Sequence, residues 1–322
     1  IGESMREIAS RAAVRRLARK YNFKPSKKFG QNFLTDSETV EKIVEACGAG
    51  NEDLVVEIGP GLGVLSVPML ERCGKLVAIE LDDKLIPILK ESLGAVKTES
   101  LAAESTGSFG PKSENSHEAP TKFKIIHGDI LKVNLSEIIE QESLLPGGSG
   151  AEVRQAKSVK LIGNLPYFIT TPILKKLAAC FDSFESATIM VQKEVAEKIA
   201  AKAGAKNYAA ISVVMQYRFE TEHITDVPSE FFLPEPKVES SVIKLVSRRE
   251  PPARVADESI FFEVVKAGFA QRRKTLLNAL KGLGGADKQK LEEALSAAGI
   301  DPSARAETLG IFEFAELSNQ LV

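Results

Sequence analysis

The chain has 322 residues, 43% of them hydrophobic, and its 42 lysines and arginines against 44 acidic residues give a formal net charge of -2. This length and composition allow one large domain or two with an ample core, and no run of about 18 apolar residues is present to span a membrane. The scattered Cys47, Cys73 and Cys180, with only three histidines, favour a reduced cytoplasmic protein and argue against a metal centre.

The first 28 residues are basic although the whole chain is not. Against Glu3 and Glu7 they carry Arg6, Arg11, Arg15, Arg16, Arg19, Lys20, Lys24, Lys27 and Lys28. Local clustering matters more for phosphate binding than net charge, so this segment is predicted to contact phosphate, with a solvated helix face as the alternative. We predict a basic helical extension over residues 1–24. It lacks the apolar stretch of a secretory signal, and an organelle transit peptide is a weaker alternative.

A strand, a glycine loop, a helix and a second strand are predicted in succession. Asp53–Ile58 has the composition of a buried strand, Gly59–Gly63 forms a tight loop, and Val64–Arg72 has helical spacing. The strand Lys75–Ile79 then ends at Glu80, about twenty residues beyond the glycines. A carboxylate at this place can accept hydrogen bonds from both hydroxyls of a ribose, as expected of a nucleoside-binding unit.

The spacing of the glycines discriminates between cofactors. A dinucleotide-binding loop has the pattern G-x-G-x-x-G, whereas this loop reads G-P-G-L-G, without a cluster of donors for two phosphates. An adenosine with an uncharged ribose and a sulfonium tail fits better. We therefore predict S-adenosylmethionine in preference to NAD, although a plain tight turn is the alternative for the glycines alone.

Further strands are predicted in the second quarter of the chain and beyond. Lys124–His127 leads into Gly128-Asp129, and Val159–Gly163 leads into Asn164. Residues 187–192 and 211–219 have strand composition, and residues 194–203 are predicted to be helical between them. Strands that alternate with helices predict a mostly parallel, doubly wound sheet.

In such a sheet ligands bind at the carboxyl ends of the strands. Gly59, Glu80, Asp129 and Asn164 all fall at such ends in the predicted order. Glu80 and Asp129 taken singly could each be a helix N-cap. Four candidate positions at successive strand ends nevertheless favour one shared nucleoside site.

The segment Asn164-Leu165-Pro166-Tyr167 has the chemistry needed to present an exocyclic amine for alkylation. Such an amine is a poor nucleophile because its lone pair is delocalised into the ring, and two acceptors on its hydrogens favour the reactive pyramidal form. The Asn164 side-chain oxygen and the Leu165 carbonyl, held outward by Pro166, supply that pair. Tyr167 offers a ring on which a flat base can stack. A simple strand-ending turn is the alternative.

The C-terminal part is predicted to be a separate helical domain. The segment 247–252, S-R-R-E-P-P, is typical of a linker, and the chain is helical from Ser259 onward. A second basic cluster, Arg272-Arg273-Lys274, opens the stretch Gln271–Leu280, which is predicted to form an amphipathic helix.

Six motifs and the single residue Glu80 together resemble the ribosomal small-subunit adenine N6,N6-dimethyltransferase family, of the bacterial kasugamycin-sensitivity type. They follow the family order over about residues 25 to 320, and they are K-F-G-Q-N-F-L at 28–34, E-I-G-P-G-L-G at 57–63, Glu80, H-G-D at 127–129, N-L-P-Y at 164–167, F-L-P-E-P-K-V at 232–238 and F-A-Q-R-R-K at 269–274. The first and last are specific to this family and its antibiotic-resistance relatives, whereas the glycine loop is widespread.

The resemblance implies a fold, an activity and roles for individual residues. The fold is a Rossmann-like class I methyltransferase domain over residues 25–247 with a small all-helical domain over residues 248–322. The activity is transfer of two methyl groups to N6 of each of two adjacent adenosines in small-subunit rRNA, by a monomer acting on a pre-ribosomal 30S particle. The implied cofactor residues are Gln31, Asn32, Leu34, Gly59, Gly61, Glu80, Leu81, Asp129, Ile130 and Asn164.

The resemblance also implies how the substrate is held. Asn164 and Leu165 would hold the target amine with Pro166 fixing the turn, and Tyr167 and Phe232 would sandwich the flipped adenine. A core aromatic is the alternative for Phe232. The implied RNA-binding residues are Lys27, Lys28, Arg272, Arg273 and Lys274.

Two polar segments depart from the family pattern. Residues 99–121 form a low-complexity insertion that is predicted to be a mobile loop, and residues 146–150, P-G-G-S-G, form a smaller expansion. Two alternative functions stay open. One is methylation of adenine in large-subunit rRNA or DNA, and the other is a non-catalytic RNA-binding assembly or transcription factor that kept the fold.

Overall fold

The computed structural model describes residues 9–26, 29–101, 121–146, 153–271 and 273–322. The helices are α1 Arg11–Lys20, α2 Ser37–Cys47, α3 Ser66–Arg72, α4 Ile86–Leu101, α5 Leu135–Glu142, α6 Thr170–Ala179, α7 Lys193–Ala200, α8 Ala210–Arg218, α9 Glu258–Ala270, α10 Leu276–Ala279, α11 Lys288–Ala297 and α12 Ile311–Asn319. The strands are β1 Phe33–Leu34, β2 Asp53–Ile58, β3 Lys75–Glu80, β4 Phe123–His127, β5 Leu144–Pro146, β6 Val153–Gln155, β7 Ser158–Asn164, β8 Ser186–Gln192, β9 Phe219–Val227, β10 Phe232–Leu233 and β11 Ser240–Ser247. Within these ranges every helix is too short or too polar to cross a bilayer.

A seven-stranded sheet in the order β4-β3-β2-β7-β8-β11-β9 forms the centre of the N-terminal part. The pairs β4-β3, β3-β2, β2-β7 and β7-β8 are parallel, and β11 runs antiparallel to β8. Strands β2 and β3 are buried along their whole length, which is the pattern of a parallel sheet covered on both faces. The predicted mostly parallel, doubly wound sheet is confirmed.

The prediction of a strand over residues 211–219 is wrong. Residues Ala210–Arg218 form helix α8, and the strand β9 begins only at Phe219. A short apolar run does not distinguish a buried helix from a strand by composition alone. Packing decides here: the Gln216 amide donates to the carbonyls of Ile199 and Ala201, both at 2.8 Å, and so satisfies groups left open at the end of α7.

The predicted amphipathic helix over residues 271–280 is also wrong in its extent. Helix α9 ends at Ala270 with Gln271 as its C-cap, and helical structure resumes only with the four residues of α10. Between them Lys274 N–H donates to the Gln271 carbonyl at 2.9 Å, and Thr275 adopts an extended backbone. The basic residues described in this segment, Arg273 and Lys274, therefore lie in a turn and not at the start of a helix.

The chain divides into two compact units that differ in one segment from the predicted domains. The first unit contains the described residues up to Lys193 together with Glu222–Val246, and the second contains Glu194–Thr221 with Ser247–Val322. Residues 194–221 belong with the C-terminal helices because Tyr217 packs against Phe261 at 4.6 Å between ring centroids, and the Tyr208 hydroxyl donates to the Leu309 carbonyl at 2.9 Å.

The predicted N-terminal helix is present as α1, and it is anchored at both ends. The Ser10 side chain caps its start by accepting from Ala13 N–H at 3.1 Å. Val14 is buried in the core of the first unit. The Arg11 guanidinium donates to the Glu230 carbonyl, and Lys20 and Tyr21 both bind the Glu91 carboxylate. The helix is thus held as a fixed part of the first unit.

Of the two predicted insertions, the structure describes only the margins. Residues 99–101 complete helix α4, and Pro146 ends strand β5. Residues 102–120 and 147–152 lie outside the described residues.

Candidate active site at the carboxyl ends of the strands

The parallel register brings the predicted site residues to one edge of the sheet. Ile58 is paired with Ile79, Glu80 with His127 and Glu57 with Ile162, so β2, β3, β4 and β7 end side by side. The loops that follow these strands line a single pocket. Its walls include the predicted Gln31, Asn32, Leu34, Gly59, Glu80, Leu81, Asp129, Ile130, Asn164, Leu165, Pro166 and Tyr167.

The glycine loop after β2 needs glycine for its backbone conformation. Gly59 and Gly61 have φ angles of 68° and 59°, in the left-handed region that side-chain-bearing residues rarely adopt. A Cβ on Gly59 would meet nothing within 4 Å, so this backbone is open for close approach, whereas one on Gly61 would lie 3.2 Å from the Phe33 ring. Gly61 does not line the pocket, but its N–H donates to the Glu80 carboxylate.

Glu80 is held rigidly by backbone donors from two loops. Its carboxylate accepts from Gly61 N–H at 3.0 Å, Leu81 N–H at 2.9 Å and Asp82 N–H at 2.8 Å. Burial raises the pKa of Glu80, and the three N–H donors offset part of that rise because they favour the charged form. A carboxylate has about four acceptor positions, so these bonds leave it able to accept a hydroxyl.

Asp129 follows β4 and presents its carboxylate at the pocket wall. One oxygen, Oδ1, accepts from Leu131 N–H at 2.9 Å, which fixes the side chain relative to its own loop. The second oxygen lies 4.0 Å from the largely exposed Lys132 ammonium, a weak interaction at that distance. The neighbouring Ile130 is buried and adds an apolar surface. A polar acceptor beside an apolar wall suits an adenine ring and its amine.

The segment before β1 closes one side of the pocket. The Gln31 amide donates to the Asp82 carboxylate at 2.7 Å and accepts from Ser26 N–H at 2.7 Å, so it links this segment to the loop after β3. Strand β1 pairs with β10 through Phe33 with Leu233 and Leu34 with Phe232. The segment is therefore fixed from both sides.

Asn164 ends β7 with its amide held in one orientation. The Nδ2 group donates to the Asn32 carbonyl at 3.0 Å, which leaves the Oδ1 acceptor as the free end. The Pro166 carbonyl is already used, because it accepts from Ile169 N–H at 3.2 Å and from the Thr170 hydroxyl at 3.0 Å. Among the described residues no donor satisfies the Leu165 carbonyl. Two acceptors, one from a side chain and one from the main chain, thus lie together at this turn.

Tyr167 and Phe168 follow within one turn of 3-10 helix. The Tyr167 hydroxyl lies 2.6 Å from the Ser240 hydroxyl, and burial raises the pKa of Tyr167. Its ring is half-buried and lines the pocket, as a base-stacking residue requires. Phe168 also lines the pocket but is 58% exposed. Its position was not predicted from the sequence, where it is only the residue after a motif.

Comparison with known proteins agrees with this geometry. The sequence profile described as ribosomal RNA adenine dimethylase matches residues 22–102 and 101–321. Two relatives bear the name ribosomal RNA small subunit methyltransferase A. The relative from Shouchella clausii is 42% identical over 98% of this chain and 96% of its own length. The relative from Clostridium perfringens is 43% identical over 96% of this chain and 94% of its own length.

The chain belongs to the ribosomal RNA adenine dimethylase family. This membership confirms the resemblance drawn from the six motifs, and the protein is a methyltransferase. Solved structures confirm the fold. A dimethyladenosine transferase from Plasmodium falciparum superposes with a TM-score of 0.64 at 20% identity, covering 88% of this chain and 95% of that one. The 23S rRNA methyltransferase ErmE superposes with a TM-score of 0.60 at 22% identity, covering 90% of this chain and 99% of that one.

Phe232 does not present its ring to the pocket of this dimethylase-family protein, as base stacking would require. It is fully buried in the hydrophobic core and does not line the pocket, because its pairing with Leu34 places it behind the pocket wall. In this arrangement only Tyr167 of the predicted sandwich offers a ring to the pocket. A stacking role for Phe232 stays a prediction.

Glu57 is a pocket residue whose role the sequence did not reveal. It lies on β2 with 1% exposure, and its Oε2 atom has no hydrogen-bond partner within the described part of the chain. Burial raises the pKa of Glu57 from its usual 4.5 to about 8, the Ser66 hydroxyl offsets part of this rise, and the Glu80 charge adds to it. A buried acid without a cationic partner is a candidate ligand for a positively charged group.

Glu57 should make the stability of the cofactor-free protein depend on pH. The folded state binds the Glu57 proton more tightly than the unfolded state, so unfolding becomes easier as the pH rises from about 5 to about 8. In the wild type, the free energy of unfolding should fall by at most about 1.4 kcal/mol per pH unit over this range. We expect this fall to be absent in Glu57→Gln. Urea titrations between pH 5 and 9 measure this, with the exposed Glu140→Gln as control. Parallel curves for the wild type and Glu57→Gln would contradict the assignment.

The described basic residues outside the pocket are exposed. Arg15, Arg16 and Arg19 lie on the solvent face of α1, and Arg273 and Lys274 lie in the turn after α9. Within the described ranges none of these five side chains forms an ion pair. The predicted RNA contacts Lys27, Lys28 and Arg272 lie outside the described residues.

Proposed function

We propose that this protein transfers methyl groups from S-adenosylmethionine to N6 of two adjacent adenosines in small-subunit ribosomal RNA. The observation that carries the proposal is the Asn164 turn. Its amide is fixed by the Asn32 carbonyl, so an oriented Oδ1 acceptor and the open Leu165 carbonyl lie at the same strand edge as Glu80 and Asp129. The names of the relatives in Shouchella clausii and Clostridium perfringens support the small-subunit substrate.

The residues of the pocket fit S-adenosylmethionine by their chemistry. Glu80 would accept from a ribose hydroxyl, and Asp129 would accept from the adenine amine while Ile130 packs on the ring. The open backbone at Gly59 leaves space for the methionine part. Glu57, buried and without a cationic partner, would accept from the positively charged end of the cofactor. When bound, the cofactor supplies an electrophilic methyl group.

The remaining chemistry is positioning by the chain's own residues. Asn164 Oδ1 and the Leu165 carbonyl would accept the two hydrogens of the target amine and favour its pyramidal, nucleophilic form. Tyr167 would stack on the base and hold the nitrogen in line with the methyl group, because correct orientation supplies much of the rate in such a transfer. No general base is needed beforehand, since the methylated ammonium is acidic and loses its proton to these acceptors or to water.

The exposed arginines of α1 are proposed to contact RNA phosphates. Arg15, Arg16 and Arg19 are neighbours on one helix face, and the opposite face is buried through Ala13 and Val14. Arg273 and Lys274 would add a second contact from the C-terminal unit. A monomer that acts on a pre-ribosomal 30S particle in the cytoplasm belongs to the same proposal.

Reversing charges on α1 should weaken binding to the substrate and leave cofactor affinity unchanged. For Arg15→Glu with Arg19→Glu, we expect the slope of log affinity against log salt to become smaller by about one per lost phosphate contact. Sedimentation with unmethylated small subunits at several salt concentrations measures it. Lys122→Glu with Lys157→Glu is the control, because these exposed residues precede β4 and β7 at the opposite edge of the sheet. An equal loss in both double variants would contradict a specific surface.

A single experiment tests the proposed function. The protein is incubated with labelled S-adenosylmethionine and, separately, unmethylated small subunits, naked small-subunit rRNA and large subunits, and the modified bases are mapped. We expect dimethylated adenines in the small-subunit particle. Label in large subunits alone would favour the resistance-type alternative. A protein that binds no cofactor and transfers no methyl group would favour the non-catalytic alternative.

A further inference from the structure

Phe168 is an exposed aromatic residue that the proposed mechanism does not use. It lines the pocket together with Tyr167, yet 58% of it is accessible to solvent. In the part of the chain that the structure describes, its ring makes no stacking or edge contact with another aromatic ring. Consecutive residues in a 3-10 turn point about 120° apart. Tyr167 and Phe168 therefore present their rings in different directions from one rigid turn.

The Phe168 ring packs closely against Gly30. A Cβ on Gly30 would lie 2.9 Å from Cδ1 and 3.1 Å from Cε1 of Phe168, so the edge of the ring rests on the glycine backbone. Gly30 has a φ of 59°, which favours glycine at this place independently of the ring. An exposed ring that is held at its edge keeps its surface available to a flat partner.

We propose that Phe168 is a binding site for the nucleobase next to the target adenine. This rests on the proposed function, because it assumes a target adenine in the pocket. A base that is flipped out of its strand deprives its neighbour of a stacking partner. The Phe168 ring lies at the edge of the pocket that receives the flipped base. It would stack on the neighbouring base in place of the base that has been flipped out. Base–aromatic stacking tolerates any base, so the site would accept either adenosine of an adjacent pair.

Three substitutions of Phe168 separate stacking from packing. Phe168→Ala removes the ring, Phe168→Leu keeps an apolar side chain over Gly30 without a flat surface, and Phe168→Trp keeps a flat surface. Phe312→Ala is the control, because Phe312 on α12 is 67% exposed and does not line the pocket. For each full-length variant, kcat and KM on unmethylated small subunits and the Kd for S-adenosylmethionine are measured.

We expect Phe168→Ala and Phe168→Leu to raise KM for the particle by about 5- to 150-fold with the cofactor Kd unchanged. Phe168→Trp and Phe312→Ala should remain close to the wild type. A second substrate is a small subunit reconstituted with an abasic nucleotide beside the target adenosine. On this substrate the KM of the wild type should rise by the same factor as the substitution causes, and the KM of Phe168→Leu should not rise further.

Two results would overturn the proposal. Wild-type KM in Phe168→Leu would show that only apolar packing matters, and a weakened cofactor Kd in every variant would show that Phe168 supports the pocket itself. Failure of the proposed function gives a different result, namely no methylation of small subunits by the wild type.

Discussion

Replacing Asn164 by alanine is expected to reduce the rate of methyl transfer by about 100- to 1000-fold, the usual effect of removing one preorganised hydrogen-bonding group from a transition state. The substitution removes the acceptor for the target amine and also the bond to the Asn32 carbonyl. Glu80 and Asp129 are bound by their own loops, so cofactor affinity should change little. Single-turnover transfer to unmethylated small subunits and calorimetric titration with S-adenosylmethionine measure the two quantities.

Two further variants make the Asn164 result interpretable. Asn164→Asp keeps a side-chain acceptor but loses the Nδ2 donor, so it should retain more activity than alanine. Asn134→Ala removes the N-cap of α5, where the side chain accepts from Glu137 N–H at 3.3 Å, and should cost about 1 kcal/mol of stability without slowing transfer. Full activity in Asn164→Ala would contradict the proposed mechanism.

Replacing Glu80 by glutamine is expected to weaken S-adenosylmethionine binding by about 10- to 150-fold. Each hydrogen bond to a charged acceptor contributes about 1.5–3 kcal/mol, and the proposed ribose contact uses this carboxylate. The amide also has one acceptor instead of two, so it conflicts with at least one of the N–H donors of Gly61, Leu81 and Asp82. Equilibrium titration with the cofactor measures the loss.

The matched control for Glu80 lies on the same loop. Asp83 is exposed, and Asp83→Asn removes one negative charge close to the site without touching the loop bonds. We expect cofactor affinity close to the wild type in that variant. If both substitutions weakened binding equally, general electrostatic attraction and not the held carboxylate would explain the affinity.

The sequence was sufficient to predict the sheet and most of the pocket because both depend on local patterns. Buried runs identify β2 and β3, and glycine or acidic residues directly after them identify strand ends. The apolar run of residues 211–219 fits either a strand or a helix, and packing against the end of α7 determines that most of it is helical.

The remaining site features depend on contacts between distant segments. Glu57 is recognisable as a pocket acid only when β2 is seen buried with Ser66 beside it. The Phe168 ring edge packs against Gly30, which is far away in sequence. Phe232 lies in the core because β10 pairs with β1. Local composition contains none of this information.

The pairing of β1 with β10 also bears on how the protein is made. Phe33 and Leu34 pair with Leu233 and Phe232, and Thr35 binds the Phe231 carbonyl through its N–H at 2.7 Å and its hydroxyl at 2.9 Å. Contacts between such distant residues form late. A nascent chain that ends before Phe231 lacks the partner of strand β1, so the wall formed by residues 29–34 is completed only after strand β10 has been synthesised.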